Sequence, residues 1–204
     1  MIDETTISFV NTENAAFYSA LLSSADIPPL VERLASAEDK IRYPAFLLLR
    51  ERSATSDDLY PFWDVLDEKL SDSNSFQRSI GAMLLAANVR YDNEGRMKKS
   101  LPRYLALLSD PKPITVRQSA QALPEILRAK PELAEEIGDT ILRISLLDFK
   151  ETMRKLILID FLEVLFIARH IRPSEALEQY FFSVLSGSIL DEKAKKQLRY
   201  QLSL

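Results

Sequence analysis

The sequence predicts an all-α chain assembled from repeated helix pairs, and three observations carry that prediction. Apolar residues recur three and four positions apart almost everywhere, as at Val116, Ala120, Leu123 and Leu127, whereas few segments alternate with period two. The 204 residues include only four glycines, Gly81, Gly95, Gly138 and Gly187, set far apart, so tight turns are few. An arginine returns at a near-constant interval, at Arg42, Arg78, Arg117 and Arg154, with spacings of 36, 39 and 37 residues.

Taken in chain order, residues 1–27 are expected to hold an N-terminal capping helix near residues 14–23, ahead of Pro28 and Pro29. Four helix pairs follow over residues 28–173. Their segments open at Leu30, Leu66, Tyr104 and Ile141, and each runs as an amphipathic helix, a polar break, the arginine and a more apolar second helix. Ser36, Ser71 and Ser109 follow the last leucine of the first helix in three pairs, and Asp39, Asn74, Thr115 and Asp148 offer acceptors for free amides near the second-helix starts. Three residues after each arginine stand Ala45, Gly81, Ala120 and Ile157. A glycine in mid-helix costs about 1 kcal/mol against alanine, so Gly81 is expected to serve close packing. Pro44 and Pro124 fall inside second helices, where each deletes a hydrogen bond and bends the rod. The fourth second helix is apolar nearly all round from Leu156 to Phe166, as a helix covered on several sides must be. Residues 174–204 read as a degenerate closing pair, with Lys193 near the next position of the arginine series and Asp191, Glu192, Lys193, Lys195 and Lys196 giving a polar end. The 204 residues are expected to form a single domain.

This pattern resembles the HEAT-repeat (armadillo-type) family of α-helical solenoids, and the third pair matches it best. There LLSDPKPITVRQSAQALPEIL carries an aspartate after the first helix (Asp110), Val116 and Arg117 at the opening of the second, then Ala120 and Leu123. The resemblance covers roughly residues 28–170 and implies an α-α superhelix of about four to five antiparallel pairs. It implies that Arg42, Arg78, Arg117 and Arg154 are structural anchors, holding the turn of their own or the next repeat. It also implies that the second helices line a concave face.

At 100° per residue the outward face of the third second helix carries Arg117, Gln118, Gln121, Glu125 and Arg128. The equivalent face gives Tyr43, Phe46 and Arg50 in the first pair, Ser79 and Ala82 in the second and Lys155 in the fourth. A groove with an aromatic end and a polar middle suits a protein or peptide partner. The expected function is therefore a non-catalytic scaffold or adaptor, with no cofactor.

Composition narrows the chemistry. There is no cysteine and one histidine, His170, which leaves little material for thiolate sites, histidine relays or multi-histidine metal sites. No glycines cluster to cradle a phosphate. Asp160, Glu163 and His170 share one helical stripe, yet Glu163 and His170 lie seven residues, or about 10 Å, apart, too far to share an ion. The net charge of −4 conceals 7 basic and 14 acidic side chains in residues 1–89 against 19 and 16 in residues 90–204. Arg90, Arg96, Lys98, Lys99 and Arg103 cluster between the second and third pairs, so nucleic acid is the alternative partner, including the alkylated-base DNA glycosylases found among HEAT-like proteins. Trp63, the only tryptophan, has a spacing with Leu66 and Leu70 that predicts core rather than a base-holding ring. Ser56 to Asp58 read as a helix start with carboxylates at the positive end of the dipole.

The opening residues MIDETTISFV have no basic segment ahead of an apolar run. The longest apolar-rich stretch, residues 156–168, contains Asp160 and Glu163 and falls short of the roughly 20 residues needed to span a bilayer. No membrane association and a cytoplasmic location are expected.

Overall fold

The computed structural model describes residues 4–202, and among them every regular element is helical. The chain divides into two compact units, Met1–Leu107 and Leu108–Leu204. The division falls inside the third sequence repeat, whose first helix belongs to the first unit and whose second helix opens the second unit.

In the first unit, α1 (Glu4–Ser8), α2 (Ala15–Ala20) and α3 (Ile27–Arg33) precede the longer α4 (Asp39–Ser53). Three further helices follow, α5 (Trp63–Glu68), α6 (Ser75–Asn88) and α7 (Arg96–Ala106). Helix α4 packs against α1, α2, α3 and α6, and α6 packs in turn on α5. Leu48, Leu49, Leu66, Leu84 and Leu85 are fully buried between them. In the second unit, α8 (Pro113–Ala129) and α9 (Ala134–Arg143) lead to the 21-residue α10 (Glu151–Ile171). It ends with α11 (Glu175–Ser186) and α12 (Glu192–Leu202). Helix α10 packs on both α8 and α9, burying Val116, Leu123, Leu127, Ile137, Phe161 and Leu165.

The helix starts differ in detail from the sequence expectation. Asn74 does cap α6, accepting from the Phe76 N–H at 2.9 Å. Asp39 is instead the first residue of α4, Asp148 closes a 3-10 turn, and Thr115 is buried in the first turn of α8. Helix α8 starts earlier than Thr115 because Pro113 occupies its first position, where a missing N–H costs nothing and φ is already helical. The polar breaks are built by Ser36, Asp72 and Asp110, not by Ser71 and Ser109. Each of these side chains accepts the N–H two residues on, from Glu38 at 3.1 Å, Asn74 at 2.7 Å and Lys112 at 2.8 Å. Gly95, at φ 70°, makes the left-handed turn before α7 that glycine reaches without a Cβ clash.

Ser56 and Asp58 also sit differently. Ser56 Oγ accepts the Asp58 N–H at 3.2 Å, but Asp58 turns its carboxylate to the Arg52 guanidinium, whose Nε donates at 2.9 Å. A paired, largely buried arginine outweighs the weak field at the start of a short 3-10 turn.

Candidate functional site

Each of the four recurring arginines hydrogen-bonds to groups of its own unit. Arg42 Nη1 donates to the carbonyls of Ser36 and Ala37 at 2.8 and 3.2 Å, and Arg78 Nη1 donates to those of Asp72 and Ser73 at 2.8 and 3.0 Å. Two repeats thus fold one arginine back onto the same pair of carbonyls in the turn before it. Arg154 does likewise with Phe149 and Leu147, at 3.0 and 3.2 Å. Arg117 reaches across instead, its Nε and Nη2 donating to the Asp160 carboxylate at 2.6 and 3.3 Å. That hydrogen bond raises the Arg117 pKa, so the guanidinium stays charged.

Within each unit, side-chain bonds span about one sequence repeat. Trp63 Nε1 donates to Ser100 Oγ over 37 residues, Asn88 Nδ2 to Ser53 Oγ over 35, the Tyr91 hydroxyl to the Ser53 carbonyl over 38, and Lys155 pairs with Asp191 over 36. Other side-chain bonds between elements span from 32 residues, Tyr60 to Asp92, to 43, Gln77 to the Leu34 carbonyl.

The expected partner-binding face is only partly assembled. In the first unit Tyr43 and Arg50 are exposed, but Phe46 is buried and its ring lies 6.3 Å from that of Tyr43. Ser79 and Ala82 are buried as well. The face transferred from α8 is only partly outward in the first unit, where α4 packs against three N-terminal helices in addition to α6. In the second unit Gln121 and Arg128 are exposed, Gln118 and Glu125 half-buried. Gln121 Nε2 donates to Asp160 at 2.9 Å, which ties it to the Arg117 ion pair. Lys155 is half-buried and spent on Asp191, whose carboxyl it holds below the usual carboxylate range.

The stripe of acids and histidine on α10 does not converge. Asp160 is turned toward α8, while His170 Nδ1 lies 2.7 Å from the carbonyl of Phe166 on its own helix. Trp63 is core, 1% exposed, with its indole N–H satisfied. The basic cluster is largely consumed within the first unit: Arg96 pairs with Asp64 and lies over the Tyr60 and Trp63 rings, Arg103 pairs with Asp67, and Arg90 donates to the Ala54 carbonyl. Lys98 and Lys99 remain exposed. Burial, followed by a hydrogen bond to Asp92, pushes the Tyr60 phenol up to about 12.

A concavity of about 420 Å³ lies in the second unit between α10 and α12. Helix α10 supplies Ile159, Glu163 and Phe166, at positions i, i+4 and i+7 of one face, and α12 supplies Gln197, Leu198 and Gln201. The expectation that the nearly all-round apolar α10 is covered on several sides holds only in part. Leu156 and Ile159 are 40% and 42% exposed, because α11 and α12 leave that side of the helix open. Lys155, one turn before Ile159, holds Asp191, which also accepts the Ala194 N–H at 2.8 Å and so ties the start of α12 to α10. Ile159, Phe166, Leu198 and the two glutamines are outside the set derived from the outward face of α8. For Ile159 and Phe166 the signal was the excess of apolar residues on α10 beyond one buried face, whereas nothing in the sequence marked the α12 residues. No protein-family model, curated protein or solved structure matches the chain.

Proposed function

We propose that the chain is a non-catalytic scaffold of HEAT-like helical repeats that binds a protein or peptide segment. The observation that carries this reading is the open groove of α10, where a helix packed on both α8 and α9 presents Ile159 to solvent beside a second helical wall. Concave apolar strips with a polar rim are the usual seats for peptide segments. The equivalent arginine turns of two repeats and the bonds spaced one repeat apart support the repeat assignment and, with it, a superhelical stack of helix pairs. The partner-binding role of Tyr43, Arg50, Gln118, Gln121, Glu125 and Arg128 belongs to this same reading, as secondary contact positions on the second helices. No helix among the described residues is long and apolar enough to cross a membrane. A cytoplasmic setting is part of the proposal.

The nucleic-acid alternative has weaker support, since Arg96 and Arg103 are already neutralised by carboxylates and Trp63 has no face free to stack on a base. Two measurements on the full chain separate the readings. Selection from a random displayed-peptide library should enrich specific sequences, and a labelled DNA duplex should show no tight binding. Failure to enrich any specific peptide, or tight duplex binding that weakens steeply between about 50 and 200 mM salt, would overturn the proposal.

A further inference from the structure

Resting on the protein-binding reading, the rim of the α10–α12 groove indicates what kind of segment it takes. The groove floor is apolar, with Ile159 and Phe166 from α10 and Leu198 from α12. Three polar side chains stand around it: Glu163 on one wall, Gln197 and Gln201 on the other. Glu163 is exposed, and among the described residues it has no ion-pair partner, in contrast to Lys155 and Asp160 on the same helix. Apart from the neutral amides of Gln197 and Gln201 the rest of the described lining is hydrocarbon, so no cation of the groove itself faces Glu163. A segment lying on that floor would remove water from around a carboxylate without replacing its hydrogen bonds, unless the segment brings its own cation. The two walls offer side chains at i, i+3 or i+4, and i+7, which is the spacing a third helix needs to set its own apolar stripe between them.

We propose that this groove takes one amphipathic helix of a partner protein, with an apolar i, i+3/i+4, i+7 stripe against Ile159, Phe166 and Leu198 and a lysine or arginine on its flank against Glu163. Gln197 and Gln201, able both to donate and to accept, meet the neutral polar edge of the same helix.

The test uses two fluorescein-labelled helical peptides of about 15 residues, long enough to hold a marginal helix in water. Both carry the leucine stripe on an alanine-rich background, one with lysines and the other with glutamates on the flank. Binding to the full chain is followed by anisotropy for the native protein, Glu163→Lys and Ile159→Ser, both changes at exposed positions. The native chain should prefer the lysine peptide, Glu163→Lys should reverse that preference by about tenfold, and Ile159→Ser should weaken both peptides by about tenfold. Circular dichroism should be the same for all three proteins.

Binding of neither peptide, or binding insensitive to both substitutions, overturns the groove assignment. If the library selection still enriches ligands that protect a different surface, the groove inference fails while the protein-binding reading stands. If no ligand is enriched at all, both fail.

Discussion

Arg117 on α8 and Asp160 on α10 form a two-point ion pair, with the Asp160 carboxylate buried and also accepting from Gln121 at 2.9 Å. This carboxylate links the two most extensively packed helices of the second unit. Asp160→Asn would keep an acceptor but remove the charge that the guanidinium requires. Because Arg117 remains partly exposed, the loss is smaller than for a fully buried pair: about 1–3 kcal/mol of unfolding free energy. Urea denaturation followed by circular dichroism should show the midpoint falling at unchanged slope.

Gly81 is the clearest case in which close packing outweighs helix propensity. A Cβ built there would stand 2.7 Å from the Leu66 carbonyl oxygen and 2.9 Å from Lys69 Cβ. Backbone at that distance cannot yield cheaply. Gly81→Ala, which would gain about 1 kcal/mol in an open helix, should instead destabilise the first unit by about 1–3 kcal/mol. A rise in thermal midpoint would contradict a steric role for this glycine.

The packing role of Gly81 was legible in the sequence because a glycine in the middle of an apolar periodic segment sacrifices helix propensity that only a close neighbour can offset. So were the all-helical character of the described residues and the core position of Trp63, since each rests on local periodicity. The outward face of α4 was not. On it Phe46 is buried while Tyr43 and Arg50 stay exposed, and transferring a face from α8 assumes that every second helix has the same neighbours, whereas α4 packs against α1, α2 and α3. The groove was not legible: the apolar residues of α10 predicted a helix covered on several sides, and which of them would be left uncovered depends on where α12 comes to rest. Paired charges were hidden for the same reason, as Arg96 and Arg103 find their carboxylates 32 and 36 residues away.

Arg42 and Arg78 make equivalent contacts with two carbonyls of the preceding turn, and a lysine cannot reproduce a guanidinium fork. Arg42→Lys and Arg78→Lys should therefore each cost about 1–2 kcal/mol. The losses should match more closely with each other than with that of Arg117→Lys, which breaks a bond between helices. Chemical denaturation of the three variants in parallel checks the ordering.

Tyr60 gives an alkaline signature. Its phenol titrates near 12 in the folded chain because burial and the Asp92 carboxylate disfavour the phenolate, whereas an unfolded tyrosine titrates at about 10. The folded state thus holds its proton more tightly. The resulting stabilisation is complete below about pH 10 and disappears as pH rises toward 12. Tyr60→Phe should flatten the fall in stability across that window, and ultraviolet difference titration of the native chain should show one tyrosine ionising later than the exposed ones.

If the second unit binds a partner segment on α10 and α12, that contact must slow exchange of the amides beneath it. Amide hydrogen exchange of the full chain, free and saturated with a library-selected peptide, tests it most directly. Protection concentrated in residues 155–167 and 190–201 is the predicted result. Protection confined to the first unit, or an exchange pattern unchanged by a peptide shown to be bound, would contradict it.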